Sequence, residues 1–199
     1  TGRPLIVGMG GTATPASSSE KLLRRALDRC AALGAETMVF DGAALDLPMY
    51  APTSAERCDR ALALIDALRR ANGVIIASPG YHGTVSGLIK NALDYVQDMA
   101  EDEAVYFEGR AVGLIASAAG WQATGTTLAT LRSITHALRG WPTPMAVAVN
   151  SMQPVFGADG AISDKGIATQ IDILAEQVVT FAQMRALHDL AVAGGQVAA

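Results

Sequence analysis

The chain has 199 residues, of which 50% are apolar and 17% are charged. This length suits one domain with a full hydrophobic core, and the composition excludes an intrinsically disordered chain. The formal charge of −4 is spread along the chain without the basic clusters that nucleic-acid binding requires. No apolar run approaches the roughly 20 residues that span a bilayer. The first residues lead directly into a strand-like segment and do not have the pattern of a secretory signal. We therefore expect a cytoplasmic protein with no nucleic-acid or membrane partner.

Apolar runs typical of buried strands alternate with amphipathic helical patterns from the N-terminus onward. The first strand is predicted at 5–9, and the helix that follows repeats its apolar side from Leu22 to Cys30. The second strand is predicted at 37–40 and is followed by a loop with two prolines. The next helix is predicted to bury one face made of Cys58, Ala61, Leu62, Ile65 and Leu68.

Three further strand and helix units complete the pattern. Strands are predicted at 73–78, 111–117 and 145–149, and helices at 86–97 and 124–138. The closing helix is predicted to bury Ile167, Ile171, Leu174, Val178 and Phe181. We predict a single domain over residues 1–190 and a frayed C-terminal tail over residues 191–199.

Five continuous apolar strands separated by amphipathic helices predict an α/β fold. A parallel sheet buried on both faces explains this alternation, because right-handed crossovers place helices on either side. The predicted architecture is a doubly wound, five-stranded parallel sheet with the strand order 2-1-3-4-5. In such sheets ligands bind at the carboxyl ends of strands 1 and 3, where the winding reverses.

The loop after strand 1, "GMGGTATPASSSEK", joins glycines to a run of serines at the predicted start of a helix. Glycines allow close backbone approach, and hydroxyls with free helix amides favour an anion such as a phosphate. The loop lacks the GK[ST] ending of a Walker motif and the full GxGxxG pattern. Ser17 or Ser18 acting only as a helix cap explains the serines equally well.

The loops after strands 3 and 4 each combine small residues with one large aromatic side chain. The first, "SPGYHGTVSG", carries Tyr81 and His82 among glycines, with Ser86 placed to cap the next helix. The second, "SAAGWQATG", carries Trp121. Together they suggest a slot for a planar ligand. The alternative interpretation of the loop after strand 3 is a surface turn whose tyrosine packs against the protein.

Side chains suited to direct catalysis or metal binding are scarce. No nucleophile elbow occurs, and no histidine and carboxylate cluster has metal-ligand spacing, so we predict no metal site and no catalytic side chain. His136 and His188 are predicted to be surface or capping residues, and Cys30 and Cys58 core thiols. This pattern favours a cofactor that carries its own reactivity.

The segment Ser78-Pro79-x-Tyr81-x-x-x-x-Ser86-Gly87-x-x-Lys90-x-x-x-Asp94 resembles the signature of the NADPH-dependent FMN reductase family, a flavodoxin-like group. The segments "LDLPMY" after strand 2 and 117–120 after strand 4 resemble two further family motifs, and the resemblance covers about 180 residues. Many members carry an arginine in the first loop that binds the FMN phosphate, and this chain has only neutral donors there.

The resemblance implies FMN as cofactor and NAD(P)H as co-substrate. The phosphate would lie in the first loop, the ring on the third and fourth, and the nicotinamide on the exposed ring face. The cofactor-binding residues that we assign are Gly10, Thr12, Thr14, Ser17, Ser18 and Ser19 in the first loop, Pro79, Gly80, Tyr81, His82 and Gly83 in the third, and Ser117, Ala118, Ala119, Gly120 and Trp121 in the fourth.

The expected activity is transfer of a hydride from nicotinamide to FMN and on to free flavin, a quinone or a similar small-molecule acceptor. A non-enzymatic, flavodoxin-type electron carrier is the alternative, and an interaction protein that has lost its cofactor is a third. The resemblance also implies a homodimer or homotetramer, with Lys90 and Asp94 at an interface. Their i, i+4 spacing is explained equally well by a surface ion pair.

Overall fold

The computed structural model describes residues 2–195. Its strands are β1 (Leu5–Gly10), β2 (Glu36–Phe40), β3 (Gly73–Tyr81), β4 (Thr84–Val85), β5 (Ala111–Ala118) and β6 (Trp141–Asn150). Its helices are α1 (Ser18–Ala32), α2 (Asp59–Arg70), α3 (Gly87–Asp94), α4 (Trp121–Ala137) and α5 (Lys165–Ala193), with a 3₁₀ turn at Tyr95–Met99.

The sheet has the order β2-β1-β3-β5-β6, and these five strands are parallel. The short β4 pairs antiparallel with β3 and lies outside this path. Counting only the parallel strands, the order is the predicted 2-1-3-4-5. The flavodoxin-like, doubly wound fold predicted from the sequence is therefore confirmed.

Alternate residues of each strand enter two separate hydrophobic layers. Ile6, Ile75 and Ile115 pack beneath α1 and α5, whereas Val7 and Val74, one step along the strands, pack beneath the helices of the other face. This alternation follows from the two-residue repeat of a strand and explains why both faces are apolar.

Several element boundaries differ from the sequence prediction, and two of them change the surroundings of the candidate site. The third strand continues from the predicted end at Ser78 to Tyr81, because its last residues pair with β4. The helix predicted over 86–97 ends at Asp94, and the chain then turns more tightly through the 3₁₀ segment. That change directs the Tyr95 hydroxyl and the Asp98 carboxylate toward the loop between β2 and α2.

Leu62 was predicted to be buried and is instead 53% exposed. The buried stripe of α2 includes Leu64, and two residues correspond to about 200° of helix rotation, which turns Leu62 to the outside. The last helix is longer than expected and ends at Ala193, so residues 191–193 of the predicted tail are helical. Residues 196–199 lie outside the described residues, and the domain division stays a prediction.

Cys30 is fully buried, as predicted, and Cys58 is half-buried at the start of α2. Burial raises the pKa of the Cys30 thiol to about 12, so the group stays protonated at neutral pH. Between residues 2 and 195, no helix is both long and apolar enough to cross a membrane.

Candidate active site

The carboxyl ends of β1, β3 and β5 meet at one edge of the sheet. Gly10 at the end of β1 lies beside Ala77 of β3, and Pro79 lies beside Ser117 of β5. The chain segments that leave these strands are therefore neighbours, as the winding of the sheet predicts. We call residues 11–17 loop 1, residues 82–83 the β3–β4 turn, and residues 119–120 loop 4.

Loop 1 leaves β1 through two glycines in close contact with the sheet. A Cβ on Gly10 would lie 2.6 Å from the carbonyl oxygen of Ala77, so only glycine fits without displacing backbone. Gly11 has φ of +116°, and Ala16 before the helix has φ of +56°. Left-handed backbone at a non-glycine residue such as Ala16 is uncommon and concentrates at functional sites.

Serines surround the beginning of α1. Ser17 caps the helix, because its Oγ accepts the amide of Glu20 at 3.3 Å, and the Glu20 carboxylate accepts the amide of Ala16 at 3.0 Å. Ser19 is buried, and its Oγ lies 3.3 Å from that of Ser17. The capping interpretation of the serines is thus correct for Ser17. It does not remove the anion-binding interpretation, since first-turn amides such as that of Ser18 have no acceptor within the helix.

Nearby cations point away from loop 1 or are paired. Lys21 extends toward the segment between β6 and α5, with its Nζ 5.2 Å from the centre of the Phe156 ring. Arg24 forms ion pairs with Glu20 and Asp41. Hydroxyl and amide groups are therefore the donors that loop 1 itself presents, as expected from its sequence.

The segment predicted as the third loop is a β-hairpin. Pro79, Gly80 and Tyr81 belong to β3, and the turn consists of His82 and Gly83 alone. Both turn residues have positive φ, +51° and +86°, which is the geometry of the two-residue turns that match the twist of paired strands. The prediction of a glycine-cushioned loop was therefore wrong in form, although Tyr81 is exposed at the expected edge.

Side chains of Ser78 and Ser86 fix the base of this hairpin. The Ser78 hydroxyl accepts the amide of Ser86 at 3.1 Å and donates to the carbonyl of Pro79 at 2.8 Å. Ser86 in turn caps α3 by accepting the amide of Ile89 at 3.3 Å, as predicted. Because both serines are buried, these bonds hold the hairpin rigidly against the start of α3.

Gly80 serves internal packing rather than an open ligand surface. A Cβ at this position would lie 2.6 Å from Oγ1 of Thr127 and 2.8 Å from Cβ of Ala118. The hairpin therefore presses against α4 and the end of β5. The space that a Gly80 side chain would occupy is thus filled by the protein, and the assignment of Gly80 as a cofactor-binding residue stays a prediction.

Loop 4 turns sharply between β5 and α4. Ser117 and Ala118 are buried strand residues, whereas Ala119 is exposed and Gly120 has φ of +106°. Trp121 begins α4 and is 61% exposed. Of the five residues predicted to bind the cofactor here, Ser117 and Ala118 are therefore buried, and the turn exposes Ala119 and the large aromatic side chain of Trp121.

Asn150, at the end of β6, is a residue of this region that we did not predict. Its Oδ1 accepts two amides, from Gly120 and from Met152, each at 3.0 Å. Asn150 is 7% exposed and so joins loop 4 to the next segment from within. The only sequence signal was an amide residue directly after an apolar strand, "MAVAVN".

The segment after β2, which contains "LDLPMY", is clamped to α3. Asn91 donates to the carbonyls of Leu47 and Pro48 and accepts the amide of Tyr50 at 2.8 Å. The hydroxyl of Tyr95 donates to the same Pro48 carbonyl at 3.0 Å. Two segments matched to family motifs therefore meet in space.

An ion pair completes this clamp. Arg57 forms two hydrogen bonds with the carboxylate of Asp98, at 2.6 and 2.9 Å, and its guanidinium lies over the ring of Tyr50. Hydrogen bonding from Arg57 lowers the pKa of Asp98 below its ordinary value. The result is a rigid loop that presents Met49 to solvent.

The segments that leave β3, β5 and β6 carry no charged side chain, whereas the Glu20 carboxylate lies at loop 1 and accepts the amide of Ala16. Four large side chains, each more than half exposed, project from the connecting segments at this edge of the sheet: Met49, Tyr81, Trp121 and Met152. Residues 71–89, 111–131 and 140–158 contain no Asp, Glu, Lys or Arg. A cavity of about 380 Å³ lined by Met49 and Tyr95 opens beside this edge, and cavities of about 880 and 560 Å³ open elsewhere on the molecule.

These residues suit FMN. Helix amides and hydroxyls at the start of α1 match a phosphate. In loop 4, the space into which a Cβ on Gly120 would project is open, with no atom within 4 Å. The uncharged segments beside them, with the exposed aromatic side chains of Tyr81 and Trp121, match a planar ring. The Gly120 amide is not free for such a ring, since it donates to Asn150.

Comparison with known proteins gives the same result. The family model described as NADPH-dependent FMN reductase matches residues 4–153. An FMN-dependent NADPH-azoreductase of Staphylococcus aureus is 30% identical over 113 residues, and the match covers 56% of each protein. The aligned part of the chain thus spans about half the length of this curated relative.

Solved structures show the same fold at low identity. FerB of Paracoccus denitrificans, a flavoenzyme NAD(P)H:(acceptor) oxidoreductase, has a TM-score of 0.73 at 21% identity, with 92% of this chain and 98% of FerB covered. RosB has a TM-score of 0.75 at 16% identity, with 97% and 87% covered. Because the family model matches well over half of the chain, this protein belongs to the NADPH-dependent FMN reductase family.

Proposed function

We propose that this protein is an oxidoreductase that moves a hydride from NAD(P)H to FMN and then reduces a planar, uncharged acceptor such as a quinone or an azo compound. The observation that carries the proposal is the charge-free, aromatic edge of the sheet around Tyr81 and Trp121. Free flavin remains a candidate acceptor through its ring. An FMN phosphate or a chromate ion would find no cation in the adjoining segments 71–89, 111–131 and 140–158.

The first task of the chain is to hold the cofactor phosphate with neutral donors. The amides of Ser18 and Ser19 lie at the positive end of the α1 dipole. The hydroxyls of Ser17 and Thr14 lie in the loop before it, whereas the Thr12 hydroxyl donates to the carbonyl of Thr14 at 3.0 Å. Without the loop arginine found in many family members, part of the Coulombic attraction is missing. We therefore expect weaker FMN binding than in a member that has that arginine.

The second task is to hold the ring between rigid backbone elements. FMN supplies the hydride-transfer chemistry when it is bound, so the chain needs to provide only position, a dry surface and hydrogen bonds. Hydrogen bonds from within the protein hold both segments in place: Ser78 anchors the hairpin that contains the β3–β4 turn, and Asn150 binds the Gly120 amide of loop 4. Since the Gly120 amide is occupied, the Ala119 amide is our candidate donor to the ring edge.

The third task is to admit nicotinamide and acceptor in turn to the same open face. Trp121 and Tyr81 offer aromatic surface on which planar rings stack. The absence of cations in the segments that surround them gives no contact for the 2′-phosphate of NADPH. We therefore expect little discrimination between NADH and NADPH.

The test is steady-state oxidation of NADH and NADPH by FMN-loaded protein with benzoquinone, an azo dye, free FMN and chromate. The neutral planar acceptors should have the highest kcat/KM. Trp121→Ala should raise their KM by about tenfold, the value of one lost stacking contact of roughly 1.4 kcal/mol.

Trp141→Ala is the matched control for this experiment. Trp141 is 62% exposed, as exposed as Trp121, and begins β6 at the opposite end of the sheet. The KM values of the Trp141→Ala variant should stay at the wild-type level. Highest activity with chromate would contradict the proposed acceptor class, and bound FMN without NAD(P)H oxidation would indicate an electron carrier.

A further inference from the structure

We propose that Lys21 binds the phosphate of FMN, and that it leaves its contact with Phe156 to do so. This inference rests on the proposed function, because it takes the start of α1 as the phosphate site. The charge around loop 1 gives the reason for it. A phosphate monoester carries about −1.5 to −2 at pH 7, and loop 1 contains no cation. The Glu20 carboxylate, which accepts the amide of Ala16, adds a further negative charge beside the same site.

Lys21 is a cation of α1 that keeps its charge available. Arg24, the next cation of the helix, is paired with both Glu20 and Asp41. Within residues 2–195, the Lys21 ammonium forms no ion pair with a carboxylate, and its Nζ lies 5.2 Å from the centre of the Phe156 ring. An aromatic ring is a weaker partner for a cation than a phosphate oxygen. A phosphate at the start of α1 would therefore compete with the ring for this ammonium.

The geometry of α1 brings the phosphate site within reach of Lys21. Ser17 caps the helix, and the Lys21 amide donates to the Ser17 carbonyl at 2.9 Å, so Lys21 lies one turn after the cap. Residues four apart share a face of a helix, and their side chains lean toward its N-terminus. One turn is about 5.4 Å long, which is comparable to the four-carbon stem of lysine. Side-chain rotation is thus sufficient to bring the ammonium to the first amides of the helix.

The segment between β6 and α5 holds Lys21 near the site without neutralising it. Gly160 lies in the turn of this segment, and a Cβ there would be 3.5 Å from the Lys21 Nζ. The Asp159 carboxylate of the same turn accepts the amide of Ala161 at 3.0 Å rather than pairing with Lys21. The ammonium therefore lies against glycine backbone and the Phe156 ring, and no carboxylate has to be displaced when it moves.

This exchange makes Lys21 a weaker phosphate ligand than an arginine within the loop would be. Lys21 has to give up its contact with Phe156, so part of the attraction to the phosphate is offset. The result agrees with the weaker FMN binding that the missing loop arginine predicts. Riboflavin has the same ring system as FMN but no phosphate. The ratio of the two affinities therefore isolates the contribution of Lys21.

Titration of the flavin-free chain with FMN and with riboflavin, followed by quenching of flavin fluorescence, tests the proposal. Lys21→Met should raise the Kd for FMN about tenfold and leave the Kd for riboflavin unchanged, because one charge-assisted contact is lost. Lys21→Arg should restore the wild-type ratio, since a guanidinium also pairs with phosphate. Phe156→Leu should tighten FMN binding about threefold, because Lys21 then has no ring contact to give up.

Arg25→Met is the matched control for Lys21→Met. It removes the same charge from α1 one turn further along, where Arg25 pairs with Asp172. Its Kd for FMN should change less than about twofold, because charges at the surface that do not contact the phosphate are screened by water and salt. Urea unfolding of each variant shows whether it is folded.

Chemical labelling of the wild type covers the case in which Lys21→Met fails to fold. FMN should slow acetylation of Lys21 by sulfosuccinimidyl acetate at least fivefold, as measured by peptide mass spectrometry, and riboflavin should not. Lys90, which forms a surface ion pair with Asp94 on α3, is the internal control and should react at the same rate with either flavin.

Equal affinities of the wild type for FMN and riboflavin, an unchanged ratio in folded Lys21→Met, or an equal loss in Arg25→Met would overturn the proposal. Weaker FMN binding by Phe156→Leu would also overturn it, because the ring would then hold Lys21 in its binding position. Neither measurement contains NAD(P)H. A chain that binds FMN through Lys21 but oxidises no NAD(P)H would therefore refute the proposed function and support this inference.

Discussion

Asn150→Ala should uncouple loop 4 from the segment after β6 and thereby weaken FMN binding. The substitution removes the one oxygen that accepts the amides of Gly120 and Met152. Each lost hydrogen bond to a buried or half-buried amide costs about 1 kcal/mol, so the combined cost is about 2 kcal/mol. If this cost falls entirely on the bound state, the dissociation constant for FMN rises by about 30-fold.

The assay has two readouts, since part of the cost can appear before FMN binds. Quenching of flavin fluorescence gives the dissociation constant, and urea unfolding of FMN-free protein gives the free energy of unfolding. The losses in the two measurements should together reach about 2 kcal/mol. If neither changes by more than about 0.5 kcal/mol, Asn150 does not position loop 4 and the reasoning fails.

Two further variants separate the hydrogen bonds from other effects. Asn150→Asp keeps an acceptor oxygen in place and should retain most of the stability at neutral pH. Asn72→Ala is the matched control, because Asn72 Oδ1 accepts the amide of Leu5 at 2.9 Å near the amino end of β1. It should lower stability by about 1 kcal/mol without changing FMN affinity.

Two more substitutions test the packing and the electrostatics of the site's surroundings. Gly80→Ala should cost about 1–3 kcal/mol in urea unfolding because its Cβ meets Thr127 at 2.6 Å, whereas Gly87→Ala, where a Cβ meets nothing within 4 Å, should cost nothing. Asp98→Asn should lower stability at pH 7 by about 1 kcal/mol through loss of its pair with Arg57. Because the pKa of Asp98 is lowered from 3.8, the wild type keeps this contribution above about pH 4 and loses it below, so the two unfolding free energies should converge on acidification. A constant difference from pH 7 to pH 3 would contradict that assignment.

The parallel strands and their order were predictable because each is a continuous apolar run in a chain that alternates strands and helices. The hairpin was missed for a physical reason. Its turn is His82-Gly83, whereas the sequences that most strongly predict a two-residue turn have Asn or Asp at the first position. The left-handed conformation of His82 was therefore not predictable from its residue type. The burial of Leu62 was predicted wrongly because the buried side of α2 was inferred from five apolar residues that did not include Leu64. Leu64 is buried, and its position sets the orientation of the helix.

The candidate site was predicted in part for the same reason. Residues with distinctive chemistry, such as Tyr81, Trp121 and the serines of loop 1, were found because their types stand out among small residues. Asn150 was not found, since its effect depends on pairing between β5 and β6 that brings it beside loop 4. The packing of Gly80 against Thr127 and Ala118 was not predicted either, because sequence shows that a side chain is missing but not which neighbour fills the space.

A common arrangement connects these outcomes. Each of the three segments at the carboxyl edge contains left-handed backbone, at Ala16, at His82 and at Gly120. Each is also fixed by a polar side chain at its base: Ser17 caps the helix after loop 1, Ser78 anchors the hairpin, and Asn150 holds loop 4. These bonds offset the backbone strain and keep the segments in place before a ligand arrives. Since the segments after β3, β5 and β6 contain no charged group that could orient a ligand, the shape maintained by these neutral hydrogen bonds must provide the positioning. Substitutions at the three anchors should therefore affect FMN binding more than substitution of the exposed aromatic residues.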